Sequence, residues 1–232
     1  MKAQVLLPKV FNFPFTYNSN KIKINVGDLV EIPFGLRKEF GVVWKNTYNE
    51  PEKIKIKNII KKIDNYSLDK KLLDFIEWFS VYNMVPIGLV LKMVIGGNDN
   101  FFNKKDDKIE IKKKEFLKYN LNREQLDSLK FLESVENKFD VSVLQGTTGS
   151  GKTLVYFERI KKIIKKNRQA LVLLPEIYLT KEFKSRFEDF FGFSPAIWHS
   201  KISPKQKRII WKGIFNNKIR LVIGARSALL LP

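Results

Sequence analysis

The spacing of apolar residues predicts strands in the first part of the chain. Up to about residue 66, short apolar runs alternate with turn residues, and the clearest strand candidates are residues 4–7, 28–32 and 41–44. Residues 53–57 alternate between lysine and isoleucine, which is typical of a strand with one buried face. The lysines of its other face could contact phosphate or protect a sheet edge, and the pattern leaves both readings open. This part of the chain is therefore predicted to be a small β-rich unit.

From Ser67 the apolar spacing lengthens to three or four residues, which predicts a helix that packs on these strands. Trp78 and Tyr82 lie in this helix. They could present surfaces for base stacking, but the protein interior is the favoured position for large rings on an apolar stripe. A shorter apolar helix follows and is predicted to end at Gly96.

The second half of the chain alternates between predicted strands and predicted helices. The strands are expected at residues 141–144, 170–174, 196–198 and 219–223, and the helices between them at 154–166, 178–190 and 204–215. A further helix is predicted to begin at the good N-cap residue Asn122. Alternation of this kind builds a parallel sheet with helices on both faces, so this part is predicted to be α/β.

The polar stretch between the two patterned regions is too short for a packed domain and is interpreted as a connector. We therefore predict an N-terminal domain at residues 1–97, a linker at 98–118 and an α/β lobe at 119–232.

A glycine-rich turn after residues 141–144 has the spacing of a phosphate-binding loop. Gly146 and Gly151 are followed by Lys152 and Thr153 in the pattern G-x-x-x-x-G-K-[ST]. Backbone amides of such a loop surround phosphate oxygens, and the following helix directs the positive end of its dipole at them. Lys152 is expected to reach the β- and γ-phosphates, and Thr153 to bind Mg²⁺. The candidate nucleotide-binding residues here are Gly146, Thr147, Thr148, Gly149, Ser150, Gly151, Lys152 and Thr153.

The charge balance indicates a polyanionic partner. Lysine and arginine total 43 against 24 acidic residues, which gives a formal charge of +19. Nucleic acid is the first candidate and an anionic membrane surface the second, and a lysine-rich composition without a specific partner is the third explanation. A hydrophobic content of 44% favours a folded protein over a disordered one.

The cysteine and histidine counts exclude several kinds of site. The chain has no cysteine, so disulfides and thiolate metal sites are excluded, and its single histidine argues against zinc. The N-terminus lacks the cleavage site of a signal peptide, and no apolar run approaches membrane-spanning length. We expect a cytoplasmic protein with no membrane partner.

Five segments of the second half resemble, in order and spacing, successive motifs of the PriA family of primosomal replication-restart helicases. They are residues 121–125, 146–153, 173–180, 199–200 and 224–229. Three earlier segments resemble the N-terminal domain of the same family, namely residues 15–17, 30–35 and 82–88. The Pro-Glu-Ile-x-Leu-Thr and Gly-x-Arg-Ser-Ala strings are far more specific than a phosphate-binding loop alone.

The resemblance implies a partial RecA-like lobe of an ATP-dependent DNA helicase that moves 3′ to 5′ on single-stranded DNA at stalled forks. ATP and Mg²⁺ would be its cofactors. Its partners would be single-stranded and forked DNA, other primosome proteins and the single-stranded-DNA-binding protein. Within the lobe, Gln125 would hold the adenine edge, and the residues matching motifs that line the DNA track are Pro175, Thr180, Arg226 and Ser227.

The resemblance also implies that the N-terminal domain binds the 3′ end of the nascent leading strand. Phe15, Tyr17, Gly35 and Lys57 match the positions of the family's pocket. Thr16 stands where the family usually has an aspartate, and that position bears on the contact to the 3′-hydroxyl group.

The sequence departs from the family pattern in its middle and at its end. The stretch between Gly97 and Leu121 is too short for the winged-helix domain that the family normally carries there. The chain stops at Pro232, before the expected Asp-Glu-Glu-His strand, the second lobe and the cysteine-rich zinc module. Zinc is therefore expected only in that missing part. Alone, these residues are expected to bind nucleotide weakly and to hydrolyse almost none.

Two alternatives to an ATP-driven translocase remain at this point. The chain could be a stand-alone module that binds DNA ends and has a non-hydrolysing phosphate loop. It could also belong to a different P-loop motor, such as a restriction translocase or an RNA helicase, but that hypothesis leaves the motifs near the N-terminus unexplained.

Overall fold

The computed structural model describes residues 1–45, 56–96, 102, 116, 119–136, 139–175 and 181–232. The chain divides into two compact units, residues 1–106 and 107–229, and residues 230–232 group with the first unit. No helix among the described residues is long and apolar enough to cross a membrane.

The first unit is built on one six-stranded sheet. Its strands are β1 (Lys2–Leu6), β2 (Phe15–Asn18), β3 (Asp28–Phe34), β4 (Arg37–Trp44), β5 (Lys57–Asn58) and β6 (Lys61–Ser67). They lie in the order β5-β2-β1-β4-β3-β6, and all neighbours are antiparallel except the parallel pair β2 and β5. The strands predicted at residues 4–7, 28–32 and 41–44 are confirmed as β1, β3 and β4. The predicted alternating strand overlaps β5 at Lys57, while residues 53–55 lie outside the described residues.

Alternate residues of neighbouring strands form the core on one side of this sheet. Because successive side chains of a strand point to opposite faces, positions two apart contribute to the same core. The buried members of this cluster are Ala3, Val5, Leu7, Tyr17, Val30, Ile32, Val43 and Ile59. The phenylalanines that pack against it while remaining partly exposed are Phe11, Phe15 and Phe34.

Two helices follow the sheet, as the sequence predicts. Helix α1 (Lys70–Asn83) begins after Asp69, whose carboxylate accepts a hydrogen bond from the amide of Leu72 at 2.8 Å. Such an N-cap satisfies one of the amides that a helix start leaves without a partner. Helix α2 (Ile87–Ile95) ends at Gly96, which has a φ of +78°, so the predicted helix end is confirmed.

The prediction that Trp78 and Tyr82 lie in the interior is wrong. Their side chains are 55% and 71% exposed, and the two rings stack on each other with centroids 5.0 Å apart. Helix α1 instead buries Leu73 and Ile76. Because consecutive helical residues are about 100° apart, the buried side defined by these two residues leaves Trp78 and Tyr82 turned away from the core.

Gly88 in α2 lies against the loop that follows β1. A Cβ atom at this position would lie 2.1 Å from the carbonyl oxygen of Lys9 and 2.6 Å from that of Leu7. The amide of Gly88 donates a hydrogen bond to the carbonyl oxygen of Phe11 at 3.0 Å. Residues 7–11 are therefore held directly against the helix, and only glycine fits at the contact.

The second unit contains a three-stranded parallel sheet with helices between its strands. The strands are β7 (Ala170–Leu173), β8 (Ala196–Trp198) and β9 (Leu221–Gly224), in the order β7-β9-β8. The helices are α3 (Arg123–Ser134), α4 (Lys152–Lys165), α5 (Lys181–Phe191) and α6 (Pro204–Phe215), and a 3₁₀ turn follows at Arg226–Leu230. The predicted α/β alternation is confirmed from β7 onwards, and the predicted Asn122 N-cap forms a capping box with Gln125.

Phenylalanines dominate the core of the second unit. Phe157 of α4 contacts Phe187 and Phe190 of α5 with ring centroids 4.4 and 4.9 Å apart. The buried residues of this cluster are Phe157, Ile164, Phe187, Phe190, Phe191, Leu221 and Ile223. The helix that follows the glycine-rich loop is thereby anchored to α5 and to the sheet.

The strand predicted at residues 141–144 is not formed. The side chains of Val141 and Val143 are 78% and 87% exposed, and none of the strands described in the second unit pairs with this segment. An alternating apolar run becomes a strand only where a neighbour supplies backbone partners. The prediction identified an apolar pattern correctly but assigned it a pairing that the described residues do not provide.

Glu136 joins the end of α3 to α4 through ion pairs. Its carboxylate lies 2.8 Å from Lys166, 3.1 Å from Arg159 and 3.2 Å from Arg168. Hydrogen bonds from Lys166 and Arg159 lower the pKa of Glu136 from 4.5 to about 2. Three cations around one carboxylate form a network, which stabilises the folded state more than an isolated surface ion pair does.

Replacing Gly88 with alanine tests the contact with the loop. The added methyl group would overlap the backbone of residues 7–11, which cannot move as a flexible side chain could. We expect Gly88→Ala to lower the free energy of unfolding by about 1–3 kcal/mol in urea titrations followed by circular dichroism. Met93→Ala, at a half-exposed site of the same helix, should have a smaller effect. Equal stabilities of Gly88→Ala and the parent chain would contradict this packing.

The lowered pKa of Glu136 predicts a pH dependence of stability. Its folded-state pKa lies below the ordinary value, so its stabilisation is complete above about pH 4.5 and is lost as the pH falls toward 2. We expect Glu136→Gln to be less stable than the parent chain at neutral pH and to lose less stability on acidification. Urea unfolding at several pH values measures this. Glu188→Gln is the control, because among the described residues Glu188 pairs only with Lys184 of the same helix, at 3.6 Å, and both side chains are exposed. Parallel pH profiles of parent and Glu136→Gln would refute the assignment.

Candidate functional site

The glycine-rich loop turns sharply before α4 through two residues with left-handed backbone. Gly149 has a φ of +84° and Gly151 a φ of +79°, conformations that favour glycine. Gly151 is the N-cap of α4, and no side chain caps the first amides of this helix. The loop residues 146–150 are exposed. An open helix N-terminus preceded by exposed amides is a suitable place for an anion.

The ammonium group of Lys152 lies over this loop. Its Nζ donates hydrogen bonds to the carbonyl oxygens of Gly146 and Thr147, both at 2.7 Å. The positive charge is thus held beside the open helix N-terminus by two neutral acceptors. Because a charged acceptor binds an ammonium group more strongly than a carbonyl oxygen does, a phosphate oxygen could replace them.

Gln125 connects α3 to the same loop. Its Oε1 accepts a hydrogen bond from the amide of Asn122 at 3.0 Å, and its Nε2 donates one to the carbonyl oxygen of Ser150 at 3.1 Å. A Cβ atom on Gly151 would lie only 2.4 Å from this Nε2 atom. Gln125 therefore lies against the loop, and in this arrangement one of its amide hydrogens is left for a base edge.

The loop fits phosphate better than it fits a metal ion on its own. Lys152, the open helix start and the glycine backbone supply donors, whereas Thr153 supplies one hydroxyl oxygen at a partly buried position. Among the described residues, no group of three histidine, aspartate or glutamate side chains is close enough to hold a metal ion. A magnesium ion here would be held mainly by the phosphates and waters, as Mg²⁺ often is.

The residues predicted to line a DNA track gather at one edge of the parallel sheet. Pro175 follows β7 and Arg226 and Ser227 follow β9, and the register pairs Leu173 with Gly224. The carboxyl ends of the strands meet at this edge, so the segments after them are neighbours. Pro175, Arg226 and Ser227 are exposed. Thr180, the fourth predicted residue, lies outside the described residues.

The four residues predicted to bind a 3′ end are also brought together, in the first unit. Tyr17 of β2 pairs with Lys57 of β5, and the Nζ atom of Lys57 donates a hydrogen bond to the carbonyl oxygen of Gly35 at 3.3 Å. The Tyr17 hydroxyl group donates to the carbonyl oxygen of Pro33 at 3.2 Å. Both contacts converge on the turn between β3 and β4, while Phe15 lies two residues before Tyr17 on the same face of the strand.

These four residues differ in what they can offer a ligand. Tyr17 is 5% exposed, and burial raises its pKa to about 12, so it supports the turn as a neutral phenol. Gly35 has a φ of +60° with open space where a Cβ atom would be, and Lys57 is exposed. The accessible features are therefore the backbone of Gly35, the charge of Lys57 and the partly exposed ring of Phe15.

Thr16 points to the opposite face from Phe15 and Tyr17. Its hydroxyl oxygen accepts a hydrogen bond from Nε2 of Gln4 at 2.9 Å, across the β1–β2 pair. The side chain at this position is thus engaged within the sheet, and its hydroxyl hydrogen remains available to another acceptor.

A cluster of phenylalanines surrounds Phe15 and was not predicted from the sequence. Phe11 and Phe34 lie 4.9 and 5.4 Å from Phe15 between ring centroids, and Phe13 lies 5.1 Å from it. The signal was present, because Phe11, Phe13 and Phe15 alternate with other residues as in a strand.

Comparison with protein families assigns a description to each unit. Residues 4–96 match the PriA family model described as 3′DNA-binding domain (3′BD). Residues 118–230 match the model described as type III restriction enzyme, res subunit, which is a P-loop domain of helicase type. The first match contains the Tyr17, Gly35 and Lys57 arrangement, and the second contains the glycine-rich loop.

Curated relatives match along nearly the whole chain. The chain is 39% identical over 234 residues to the replication restart protein PriA of Rickettsia prowazekii and 37% identical over 234 residues to that of Rickettsia conorii. Each alignment covers 99% of this chain but 35% of the relative, so the chain spans about a third of their length. It is also 45% identical over 101 residues to PriA of Bacillus subtilis, covering 44% of this chain and 12% of that protein. With a 3′ DNA-binding domain and a helicase-type P-loop domain in this order, the chain belongs to the PriA family of replication restart proteins.

Proposed function

We propose that this chain supplies the DNA-end-binding and nucleotide-binding parts of an ATP-dependent DNA helicase that moves 3′ to 5′ and restarts replication at stalled forks. The observation that carries the proposal is the open loop under Lys152, which combines an uncapped helix start with a cation held by exchangeable contacts. Similarity to relatives named as replication restart proteins supports the role in the cell.

In the proposed nucleotide site, backbone amides of residues 147–153 and Lys152 bind the phosphates of ATP. Thr153 contributes its hydroxyl oxygen to the Mg²⁺ that accompanies them. Gln125 positions the loop through Ser150 and offers its remaining amide hydrogen to the adenine edge. Bound ATP would supply the energy for movement along DNA.

In the proposed DNA track, Pro175, Thr180, Arg226 and Ser227 contact the backbone of a single strand. Arg226 provides charge, and Ser227 provides a hydroxyl donor, at the edge where the β7 and β9 strands end. Contacts to sugar and phosphate carry no sequence information, which suits movement along any sequence.

In the proposed end-binding site, the 3′-terminal nucleotide stacks on Phe15 and lies over Gly35. Lys57 provides the positive charge, and Tyr17 holds the turn that carries Gly35. We also propose that the functional boundaries are residues 1–97, 98–118 and 119–232, and that the intact assembly engages other primosome proteins and the single-stranded-DNA-binding protein.

Removing the Lys152 charge tests the nucleotide site. We expect Lys152→Ala to weaken binding of a fluorescent ATP analogue by roughly tenfold to a hundredfold, because it removes charge-assisted contacts to phosphate. Lys184→Ala removes an equal charge at an exposed position of α5 and should bind as the parent chain does. If both variants bound the analogue equally well, the loop would not be the nucleotide site.

Blocking the strand end tests the DNA site. We expect the chain to bind single-stranded DNA with a free 3′-hydroxyl group more tightly than the same strand carrying a 3′-phosphate, as measured by fluorescence anisotropy. Phe15→Ala should weaken binding roughly tenfold through lost stacking, and Lys57→Ala should weaken it less. Lys71→Ala, at an exposed position of α1, is the control. Equal affinity for the two strand ends, falling steeply with salt, would leave only general electrostatic attraction.

A further inference from the structure

The first unit contains a cavity that none of the predicted site residues lines. Its volume is about 500 Å³, within the range of small-molecule sites. The loop after β1, the start of β4 and helix α2 form its walls. Its apolar lining includes Phe11, Phe40, Leu89, Ile95 and Phe102.

The charged lining of this cavity is predominantly positive. Lys9, Arg37 and Lys92 face it together with one anion, Glu39. Glu39 is paired with Lys9 at 2.8 Å, and its side chain is 10% exposed. Arg37 and Lys92 are exposed, and neither forms an ion pair with another described residue. The cavity therefore offers two cations to a ligand beside an apolar wall.

The phenylalanine cluster connects this cavity to the proposed end-binding site. Phe11 belongs to the cavity wall and also contacts Phe15 with a T-shaped geometry at 4.9 Å. Phe34 contacts both rings, and the Nζ atom of Lys9 lies 5.9 Å from the Phe34 ring centroid. One continuous aromatic surface thus extends from Phe15 to the cavity, with Gly35 directly after Phe34 in the chain.

We propose that this cavity binds the nucleotide units that precede the 3′ end of a single DNA strand, with Arg37 and Lys92 on the phosphates and Phe11 against a base. The proposal rests on the proposed binding of a 3′ end at Phe15, because that site fixes where the strand begins. It extends the footprint from the terminal nucleotide to the units that precede it.

The chemistry of the lining fits a nucleotide unit. A nucleotide combines a planar base, which stacks on aromatic rings, with an anionic phosphate, which pairs with arginine and lysine. The cavity presents both features side by side and continues directly from the proposed end site. An acidic peptide could pair with the same cations but would gain nothing from that continuity.

Oligonucleotide length provides the test. The complete chain is titrated into fluorescently labelled oligothymidylates of two and of four nucleotides, each with a free 3′-hydroxyl group or a 3′-phosphate. The parent chain should bind the free four-nucleotide strand more tightly than the two-nucleotide strand. Arg37→Ala and Lys92→Ala should each lower the affinity for the longer strand about threefold to tenfold and affect the shorter strand less. Each substitution should also make the slope of log affinity against log salt concentration shallower, by the amount expected for about one lost phosphate contact.

The controls separate this inference from the proposed function. Lys71→Ala removes a charge from α1 outside the cavity and should match the parent chain with both lengths. A preference for the 3′-hydroxyl group with unchanged affinity of Arg37→Ala and Lys92→Ala for the longer strand would overturn the cavity proposal alone. Absence of any 3′-hydroxyl preference would overturn the end site itself. Displacement of the longer strand by an acidic peptide, with no length dependence of DNA binding, would assign the cavity to a protein partner and overturn the proposal.

Discussion

Gly88 lies so close to the carbonyl oxygens of Leu7 and Lys9 that no side chain fits between them. This contact fixes the segment from which the accessible aromatic surface of the first unit extends. Lys9 and Phe11 both belong to this segment, residues 7–11. Phe11 in turn contacts Phe15 and Phe34. The same backbone packing therefore supports both the proposed end-binding site and the cavity next to it, although Gly88 itself touches neither ligand position.

In the second unit, side-chain contacts rather than backbone packing hold the candidate site in place. Gln125 closes the capping box of α3 and holds Ser150, while Phe157 anchors the following helix to α5. The glycine-rich loop is thus held at its C-terminal end, and Lys152 lies over it on two carbonyl contacts. Those two contacts are the ones that Lys152 would exchange for phosphate oxygens.

Local rules predicted the helix starts accurately. The predicted N-cap Asn122 forms a capping box, since that interaction depends only on residues three apart. The helix predicted at residues 204–215 begins at Pro204 as expected, directly after the capping residue Ser203. The glycines of the loop were also predictable, because left-handed backbone is a property of a few consecutive residues.

Features that depend on distant parts of the chain were predicted less well. The apolar run at residues 141–144 could form a strand only with a neighbour that the local pattern does not reveal. Trp78 and Tyr82 were misplaced because the buried side of α1 is set by Leu73 and Ile76 rather than by the largest rings. The buried position of Tyr17 and the cavity beyond Phe11 arise from packing between strands, loop and helix, which no single motif encodes.

Hydrogen–deuterium exchange with each ligand in turn tests the central claim most directly, because it reports on amides of both proposed sites in one molecule. The account predicts that a non-hydrolysable ATP analogue with Mg²⁺ slows exchange at residues 147–153, and that a single strand with a free 3′-hydroxyl group slows exchange at residues 15–18 and 33–37. Unchanged exchange in the loop at saturating nucleotide, or DNA protection confined to other parts of the first unit, would contradict it.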